Sequence, residues 1–553
     1  MNPFFKRLVE KPILLLLAAN ILIGLFLFRD YGLAWDEPLF YDYGEALGYA
    51  YSPREWFSGT FDINRSFGAS GDDHKTRGPA YLLLAREPVY LLQAAGLDKA
   101  SAWHLINFLL FQLGVYFLYR LAARWIKPSA ALAASALFSW QPLLWGQAFI
   151  NPKDPPFLVF FLASVCLGFE MVDKLIAFLD TDNTENSVIT QKESVRSVRT
   201  VSLIIFPAII LGITTSIRVL GPLAGLLVFV YFLARVTKNQ RLRVLSSPQG
   251  AVSPWLLFLA YTVIAILVML LTWPFLWENP IARFAEVFRF MSDNPTNLSV
   301  LFGGELYRAG ELPRQYLPFM LSTTLTAPVW ILFLFGTALG YSKLFKQRSS
   351  SIAGNQILSL SLVLFWFLTL VAYVLIRKPA MYDGLRHFLF ILPPVFILAG
   401  FAFEFIIQNI VPDWLRAATI SALVLPGIIG IIQLHPYEYT YYNSFIGGTS
   451  GAFRQYETDY WLTCYKEAVE QFETTLDGPV KLYVHREAHI AAYYAGANTQ
   501  VHETRGALKE IQSGDYILVN TRANEDRGTF REAPPVLFVS RGDAIFCMIK
   551  QIP

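Results

Sequence analysis

Apolar stretches long enough to cross a bilayer recur along this chain, and no other feature limits its fold as strongly. A hydrocarbon core about 30 Å thick needs about 20 mostly apolar residues per helical crossing. Eleven segments meet that description: 12–28, 103–119, 129–146, 156–177, 200–217, 219–234, 254–276, 317–341, 356–376, 387–408 and 415–434. With 54% hydrophobic and only 16% charged residues, the composition is that of a polytopic membrane protein rather than a water-soluble one. The first stretch follows Lys6, Arg7 and Lys11 and lacks a small-residue cleavage site, so it reads as a retained anchor.

Lys and Arg near the ends of the stretches set the orientation, since short cytoplasmic loops collect them. A cytoplasmic N-terminus puts Arg120, Arg124 and Lys127, then Lys192, Arg196 and Arg199, then Arg235, Lys238, Arg241 and Arg243, then Lys343, Lys346 and Arg348 on the inner face. The outer face then receives 29–102, the Asn151 loop, the turn at Arg218, 277–316, the 377–386 loop and everything after 434. The expected localisation is a multi-pass cell inner membrane, with the C-terminal part external, or periplasmic. Of the three cysteines, Cys166 lies in an apolar stretch. Cys464 and Cys547 share the external tail, where free thiols are expected.

Three segments break the pattern. Residues 29–102 are too polar to span and too aromatic to be a linker; a short helix is expected over 38–51 and an interfacial one over 79–94. Residues 280–291 put Ile281, Phe284, Phe288 and Met291 on one helical face and Arg283, Glu286 and Arg289 on another, which suits a helix lying in the interface or packed on neighbouring loops. From 435 to 553 the hydropathy drops. Strands are expected at Val480–Val484, Tyr516–Asn520 and 535–540, a helix over 463–476, and a hairpin turn at Arg541-Gly542-Asp543. The expected fold is an all-α polytopic domain (1–434) followed by a small external α/β domain (435–553).

Ionisable residues at membrane depth cost about 2.5 to 3.5 kcal/mol on insertion scales, so they tend to mark sites. Asp36 and Glu37 are candidate general bases beside Trp35 and Phe40, or else caps of the helix at Pro38. Asn151-Pro152-Lys153-Asp154-Pro155-Pro156 is a polar knot whose prolines set Asp154, as a functional acid or as an N-cap. His74-Lys75-Thr76-Arg77-Gly78-Pro79 follows Asp72-Asp73 and places cations before a helix N-terminus, a phosphate site or a solvated loop. Tyr382-Asp383-Gly384-Leu385-Arg386-His387 brings a cation to the outer face, which calls for an anion, whether a lipid headgroup or a lipid-linked phosphate; Arg218 raises the same question. No Walker loop, HExxH, CxxC or GxSxG is present.

Taken together and in this order, these pieces resemble the GT-C superfamily of membrane glycosyltransferases, in particular the bacterial relatives of protein O-mannosyltransferases and of the aminoarabinose lipid A transferase. Asp36-Glu37 resembles the family's acidic signature, and Asn151-Pro152-Lys153-Asp154 its second acidic position. His74-Lys75 with Arg77-Gly78-Pro79 resembles the basic start of the next helix, without the usual double proline. Tyr382 to His387, with Pro393-Pro394, resembles the mannosyltransferase-like branch. His435-Pro436-Tyr437-Glu438-Tyr439, Tyr442-Asn443 and Thr458-Asp459-Tyr460-Trp461 look like markers of one bacterial branch.

The resemblance implies transfer of a hexosyl or pentosyl group from a polyprenyl-phosphate donor to an external acceptor, a glycolipid, polysaccharide or protein, with inversion. Asp36 is then the base, assisted by Glu37 and Asp154. Lys75, Arg77, Arg218, Arg386 and His387 hold the donor phosphate, and His74, Asn151, Lys153, Tyr382 and Asp383 orient substrate. No cofactor is required; the carboxylates leave room for a divalent ion but form no dedicated metal cage. The bilayer is a partner and nucleic acid is not. A multispanning lipid or solute transporter or flippase is the alternative, but it would carry polar residues deep in several spans and often paired repeats. A non-catalytic scaffold would leave the Asp36 and Asp154 loops without purpose.

Overall fold

Proline is the first residue of the helices that begin at 128, 142, 222, 254, 280, 328 and 393, where its fixed φ suits the first turn and its missing N–H costs nothing. The computed structural model describes residues 11–69, 71–182, 192–238, 253–292, 296–346 and 351–553, with the backbone alone at 72–73, 178–182, 192–202 and 351–352. In chain order the helices are α1 (Ile13–Leu27), α2 (Glu37–Ala50), α3 (Ala80–Ala94), α4 (Lys99–Ala122), α5 (Pro128–Ser139), α6 (Pro142–Ile150), α7 (Asp154–Asp182), α8 (Lys192–Ile217) and α9 (Pro222–Lys238). There follow α10 (Pro254–Leu271), α11 (Pro280–Ser292), α12 (Tyr316–Thr324), α13 (Pro328–Lys346), α14 (Ser351–Arg377), α15 (Pro393–Asn409), α16 (Asp413–Leu434), α17 (Cys464–Glu473) and α18 (Ala488–Tyr494).

Among the described residues six helices are long and apolar enough to cross a membrane: Lys99–Ala122, Asp154–Ala177, Pro254–Thr272, Pro328–Lys346, Ala353–Arg377 and Asp413–Leu434. Shorter apolar helices lie at Ile13–Leu27, Pro128–Ser139, Leu203–Ile217 and Pro393–Asn409. Every expected apolar stretch falls on helix; 254–276 ends early, at Leu271, ahead of a 3₁₀ turn at Pro274–Leu276, and three others break within. The stretch 129–146 breaks between α5 and α6 before Pro142, 317–341 breaks between α12 and α13 before Pro328, and 387–408 begins as a 3₁₀ turn (Arg386–Ile391) before Pro393. Prolines inside those runs remove the N–H that would carry the helix on. Two of the breaks satisfy each other. Gln141 Nε2 donates to Thr326 Oγ1 at 3.0 Å, and Thr326 N donates back to Gln141 Oε1 at 2.9 Å. Irregular backbone is tolerated at membrane depth only when protein covers it, and both residues are fully buried.

The central helix is α7, with 89% of its apolar window buried, whereas α10 buries 17% and presents Leu256, Leu259, Ile266 and Leu271 outward. Within the bundle the Asn20 amide is fully engaged, with Gln112 at 2.9 Å, Ser139 at 2.7 Å and Trp140 at 2.9 Å. One end of the bundle is laced by ion pairs: Arg120–Glu170, Arg235–Asp173, Arg124–Asp173 at 2.7 Å and Lys343–Glu404 at 2.6 Å. These are the cations expected on the inner face. Arg241, Arg243, Arg348 and the side chains of Lys192, Arg196 and Arg199 lie outside the described residues.

At the opposite end sit the turns that begin α2 and α7 and end α8. The two expected helices of 29–102 form as α2 and α3, the latter continuing through Pro88. Helix α11 leaves Ile281, Phe288 and Met291 exposed. A small hairpin, β1 (Ser299–Phe302) with β2 (Glu305–Arg308), precedes α12. The C-terminal strands β3 (Val480–Val484), β4 (Thr499–Glu503), β5 (Tyr516–Asn520), β6 (Pro535–Arg541) and β7 (Ala544–Gln551) form one mixed sheet in the order β4-β3-β5-β7-β6. Strand β3 is parallel to both β4 and β5, and β7 runs antiparallel to β5 and β6. The hairpin turn falls at Gly542, whose φ is +57°. The expectation of free thiols fails here: Cys464 at the start of α17 and Cys547 in β7 are disulfide-bonded, their Cα atoms 6.2 Å apart, because the helix packs across the strand that carries its partner. Cys166 is free and buried.

Candidate active site at one end of the bundle

The turn Ala34-Trp35-Asp36-Glu37 gives its two acids different surroundings. Glu37 is fully buried and folds back on its own turn, accepting from Ala34 N at 2.7 Å and from Tyr41 OH at 2.6 Å, with His104 Nε2 at 3.2 Å. Asp36 makes no capping bond. Its Oδ2 accepts from Arg386 Nη1 at 2.7 Å, and its side chain keeps 24% of its surface exposed. Of the two, only Asp36 is open to an incoming hydroxyl. Burial raises the Asp36 carboxyl, but Arg386, Arg77 and Lys153 outweigh it, so the group sits below the usual aspartate range and is ionised at neutral pH.

The second acid is set by an asparagine. Asn151 leaves α6 in an extended conformation; its Oδ1 accepts from Lys153 N at 3.1 Å and Asp154 N at 3.0 Å, and its Nδ2 donates to Asp154 Oδ2 at 3.0 Å and Gln147 Oε1 at 2.7 Å. Asp154 pairs with Arg218, which stands just past α8. Lys153 Nζ lies 5.6 Å from the centroid of the Phe40 ring. Burial, and then the like charges of Arg77, Arg218 and Arg386, hold this ammonium well below the ordinary lysine range, with Asp36 opposing.

The segment 74–79 meets the same ring. His74 is buried edge-on against Phe40 at 5.1 Å, and the Arg77 guanidinium lies 6.0 Å from the Phe40 centroid. Lys75 is tied through its carbonyl to Trp273 Nε1 at 3.1 Å. Gly78 lies so close to the end of α8 that a Cβ there would overlap the Ser216 carbonyl. That contact sets the Arg77 turn beside the Arg218 turn. The side chains of Asp72 and Asp73 lie outside the described residues.

The fourth segment closes the site. Asp383 and Gly384 both adopt positive φ, +55° and +65°, and Gly384 N donates to Tyr316 OH at 3.1 Å. Arg386 is sandwiched, 5.0 Å from the Tyr382 centroid and 5.1 Å from that of Trp461. His387 packs against Tyr382, their ring centroids 4.7 Å apart. Asp383 is fully buried, Oδ2 on Arg386 Nη2 at 2.9 Å and Oδ1 on Arg522 Nη2 at 2.8 Å.

Asp36, Lys153, Asp154, Arg77, Arg218, Arg386 and His387 thus share one electrostatic neighbourhood, with His74, Asn151, Tyr382 and Asp383 packed around it. Sequence reasoning missed Arg522, Glu457 and His104. Arg522 stands two residues past β5, after Thr521, and a cation just beyond a buried strand was the signal available. Among the described residues no group of three or more His, Cys, Asp or Glu side chains is arranged to hold a metal ion.

No family model and no curated protein matches the chain. Among solved structures it is similar to crystal structures of the Archaeoglobus fulgidus oligosaccharyltransferase. One, tethered with an acceptor peptide containing the NVT sequon, aligns at 10% identity and a TM-score of 0.47 over 94% of this chain and 70% of that one. The apo form gives 10% and 0.49 over 92% and 69%, and a complex with Zn and sulfate gives 12% and 0.41 over 87% and 61%. Likeness at this distance fixes no chemistry, and the functional reading rests on the residues of the site.

Proposed function

We propose that this chain is an integral-membrane glycosyltransferase that moves a sugar from a polyprenyl-phosphate donor to an acceptor hydroxyl on the external face, with inversion. One observation carries the reading: an ionised, partly exposed carboxylate, Asp36, stands among Arg77, Lys153 and Arg386 beside the Asp154–Arg218 pair. So many half-buried and buried cations in one place favour an anionic ligand, and an isoprenoid tail would bring its phosphate to this depth in the membrane. The acceptor O–H gives its proton to Asp36 while its oxygen attacks the anomeric carbon. The bond from that carbon to the phosphate oxygen breaks on the opposite face, and polyprenyl phosphate departs with the electron pair.

Negative charge grows on the departing phosphate, so pre-placed cations favour the transition state over the ground state. Arg77, Arg218 and Arg386 serve that role, Lys153 and Lys75 join them once the phosphate is bound, and His387 packs against the Tyr382 wall. Asp154 orients the acceptor, and Glu37 holds the turn that presents Asp36. The Cys464–Cys547 disulfide supports an oxidising, external compartment for the C-terminal part, and a cytoplasmic N-terminus goes with the basic loops between the apolar stretches.

The test supplies membranes bearing the protein with radiolabelled polyprenyl-phosphate sugars and follows transfer of label to glycolipid, polysaccharide and protein fractions. Asp36→Asn is expected to lower turnover by about 10²- to 10⁴-fold, the span of general-base contributions, with the protein still folded. Unchanged turnover in that variant removes Asp36 as the base.

A further inference from the structure

Five charged side chains from four distant segments alternate in sign through the protein. Glu457 Oε1 lies 3.8 Å from Arg522 Nη2, which pairs with Asp383 at 2.8 Å; Asp383 pairs with Arg386 at 2.9 Å, and Arg386 with Asp36 at 2.7 Å. All but Asp36 are more than nine-tenths buried. A buried charge without a partner is costly, and here each inner group lies within ion-pair distance of two groups of opposite sign, although only the Arg386–Asp36 contact is also a hydrogen bond. Asp383 alone would neutralise Arg386. Because Arg522 draws on the other Asp383 oxygen, the Nη1 side of Arg386 stays available to Asp36. At the far end of the row burial, with Asp383 beside it and Arg522 opposing, raises the Glu457 carboxyl above the ordinary glutamate range.

The backbone at both ends of the Asp383–Arg522 pair is held where L-residues seldom go. Asp383 has φ +55°, and Ala523 and Asn524, directly after Arg522, have φ +52° and +58°. Such conformations persist when their surroundings over-determine them, and they cluster at functional sites. The surroundings do so here. Asn520 Oδ1 accepts from Arg522 N at 2.5 Å, Arg522 also donates to the Tyr460 carbonyl, and Asn524 and Asp526 are held by Arg454 at 3.1 and 2.6 Å. The Arg522 guanidinium lies 4.6 Å from the ring of Trp35, the residue before Asp36, and Trp35 N donates to Trp461 O at 3.1 Å.

We infer that Arg522, supplied by the C-terminal domain and acting through Asp383, is a positioning residue that aims Arg386 at Asp36, so that the catalytic constellation is complete only when the C-terminal domain is docked. This rests on the reading of Asp36 as the base. Arg522 touches no reacting atom. It withholds Asp383 from Arg386, and thereby keeps Asp36 ionised and pointed. The groups acting on Asp36 are Arg386, Arg77 and Lys153, and the first is tied to Arg522 through Asp383.

The experiment uses the full-length protein in lipid nanodiscs and first needs no substrate. The thermal unfolding midpoint is measured against pH for the parent and for Asp36→Asn; the difference curve inflects where Asp36 titrates in the folded state. The pair is repeated with Arg522→Gln, with Arg522→Gln plus Asp383→Asn, and with Arg522→Lys. In Arg522→Gln, Asp383 takes over Arg386 and the inflection is expected to rise by about one pH unit. Removing the Asp383 charge as well returns it toward the parent value. Should Arg522→Gln not fold, Arg522→Lys, which keeps the charge but not the fork, is expected to shift it in the same direction by less.

An inflection that stays in place, or one that rises equally in the double variant, overturns the inference. In the transfer assay kcat is expected to fall tenfold or more in Arg522→Gln with the donor KM held within about twofold, and its acid limb to move up in parallel. A loss of kcat with no movement of the limb counts against positioning. Absence of transfer by the parent protein with every polyprenyl-phosphate donor overturns the glycosyltransferase reading instead, and the unfolding measurements still decide the role of Arg522.

Discussion

Two neighbouring carboxylates can differ more in environment than two residues at opposite ends of a chain. Asp36 and Glu37 read as one acidic pair in sequence, yet Glu37 spends its oxygens on Ala34 N–H, Tyr41 OH and His104 while Asp36 reaches Arg386. The difference follows from helix geometry. Glu37 is the first residue of α2 and can close back on the turn before it; Asp36, one position earlier, projects from a different side of that turn. Glu37→Ala should therefore act through folding. Ala34 N–H and Tyr41 OH would be left buried without partners, at about 1 to 3 kcal/mol each, so the unfolding midpoint and the activity should fall together. Asp36→Asn keeps an oxygen for Arg386 and should lose turnover with a much smaller change in midpoint. Comparing the two midpoints at neutral pH checks this, and a Glu37→Ala protein as stable as its parent would contradict it.

Helices bring these residues together through their ends rather than their faces. Arg77 opens onto α3, Arg218 closes α8, Asp154 opens α7 and Asp36 precedes α2, so the site is a cluster of termini at one end of the bundle. This is why much of it was legible in sequence: polar residues bordering long apolar runs stand out, and the runs themselves announce the helices. The breaks before Pro142, Pro328 and Pro393 were harder to read, because hydropathy averages across a proline that the backbone cannot ignore. Gly78 makes the end-to-end packing testable. A β-carbon added there would overlap the Ser216 carbonyl, and backbone on the far side cannot yield as a flexible side chain would. Gly78→Ala should push the Arg77 turn away from the Arg218 turn, raising the KM for a polyprenyl-phosphate donor several-fold and lowering the unfolding midpoint. An unchanged KM would show that the two cations do not act on one ligand.

On the scale of the whole molecule, the C-terminal domain was legible as strands and turns but not as part of the site, since nothing in the local pattern around Arg522 says that it pairs with Asp383. Only tertiary contact carries that information. The domain has a second attachment, at the C-terminal ends of α1 and α16. His435, directly after α16, bonds Glu438 Oε1 at 2.8 Å through Nδ1 and Asp30 Oδ2 at 2.9 Å through Nε2, while Arg541 of β6 donates to the His435 carbonyl at 2.9 Å. Burial lowers the His435 imidazole, but its hydrogen bond to Glu438 and the charges of Glu438 and Asp30 outweigh it, so the folded-state value is raised. For a raised histidine the stabilisation is fully present below the unfolded value of about 6.5 and is lost as pH climbs through the folded one. His435→Gln should accordingly lower the unfolding midpoint most at pH 5.5, where the imidazolium bridges two carboxylates. The deficit should shrink steadily above pH 6.5 as the parent loses the same charge. Limited proteolysis of the parent should likewise release C-terminal fragments faster at pH 9 than at pH 5.5, with the variant showing little dependence. A midpoint deficit equal at both pH values would mean that the bridge holds the domain through packing alone, without the charge.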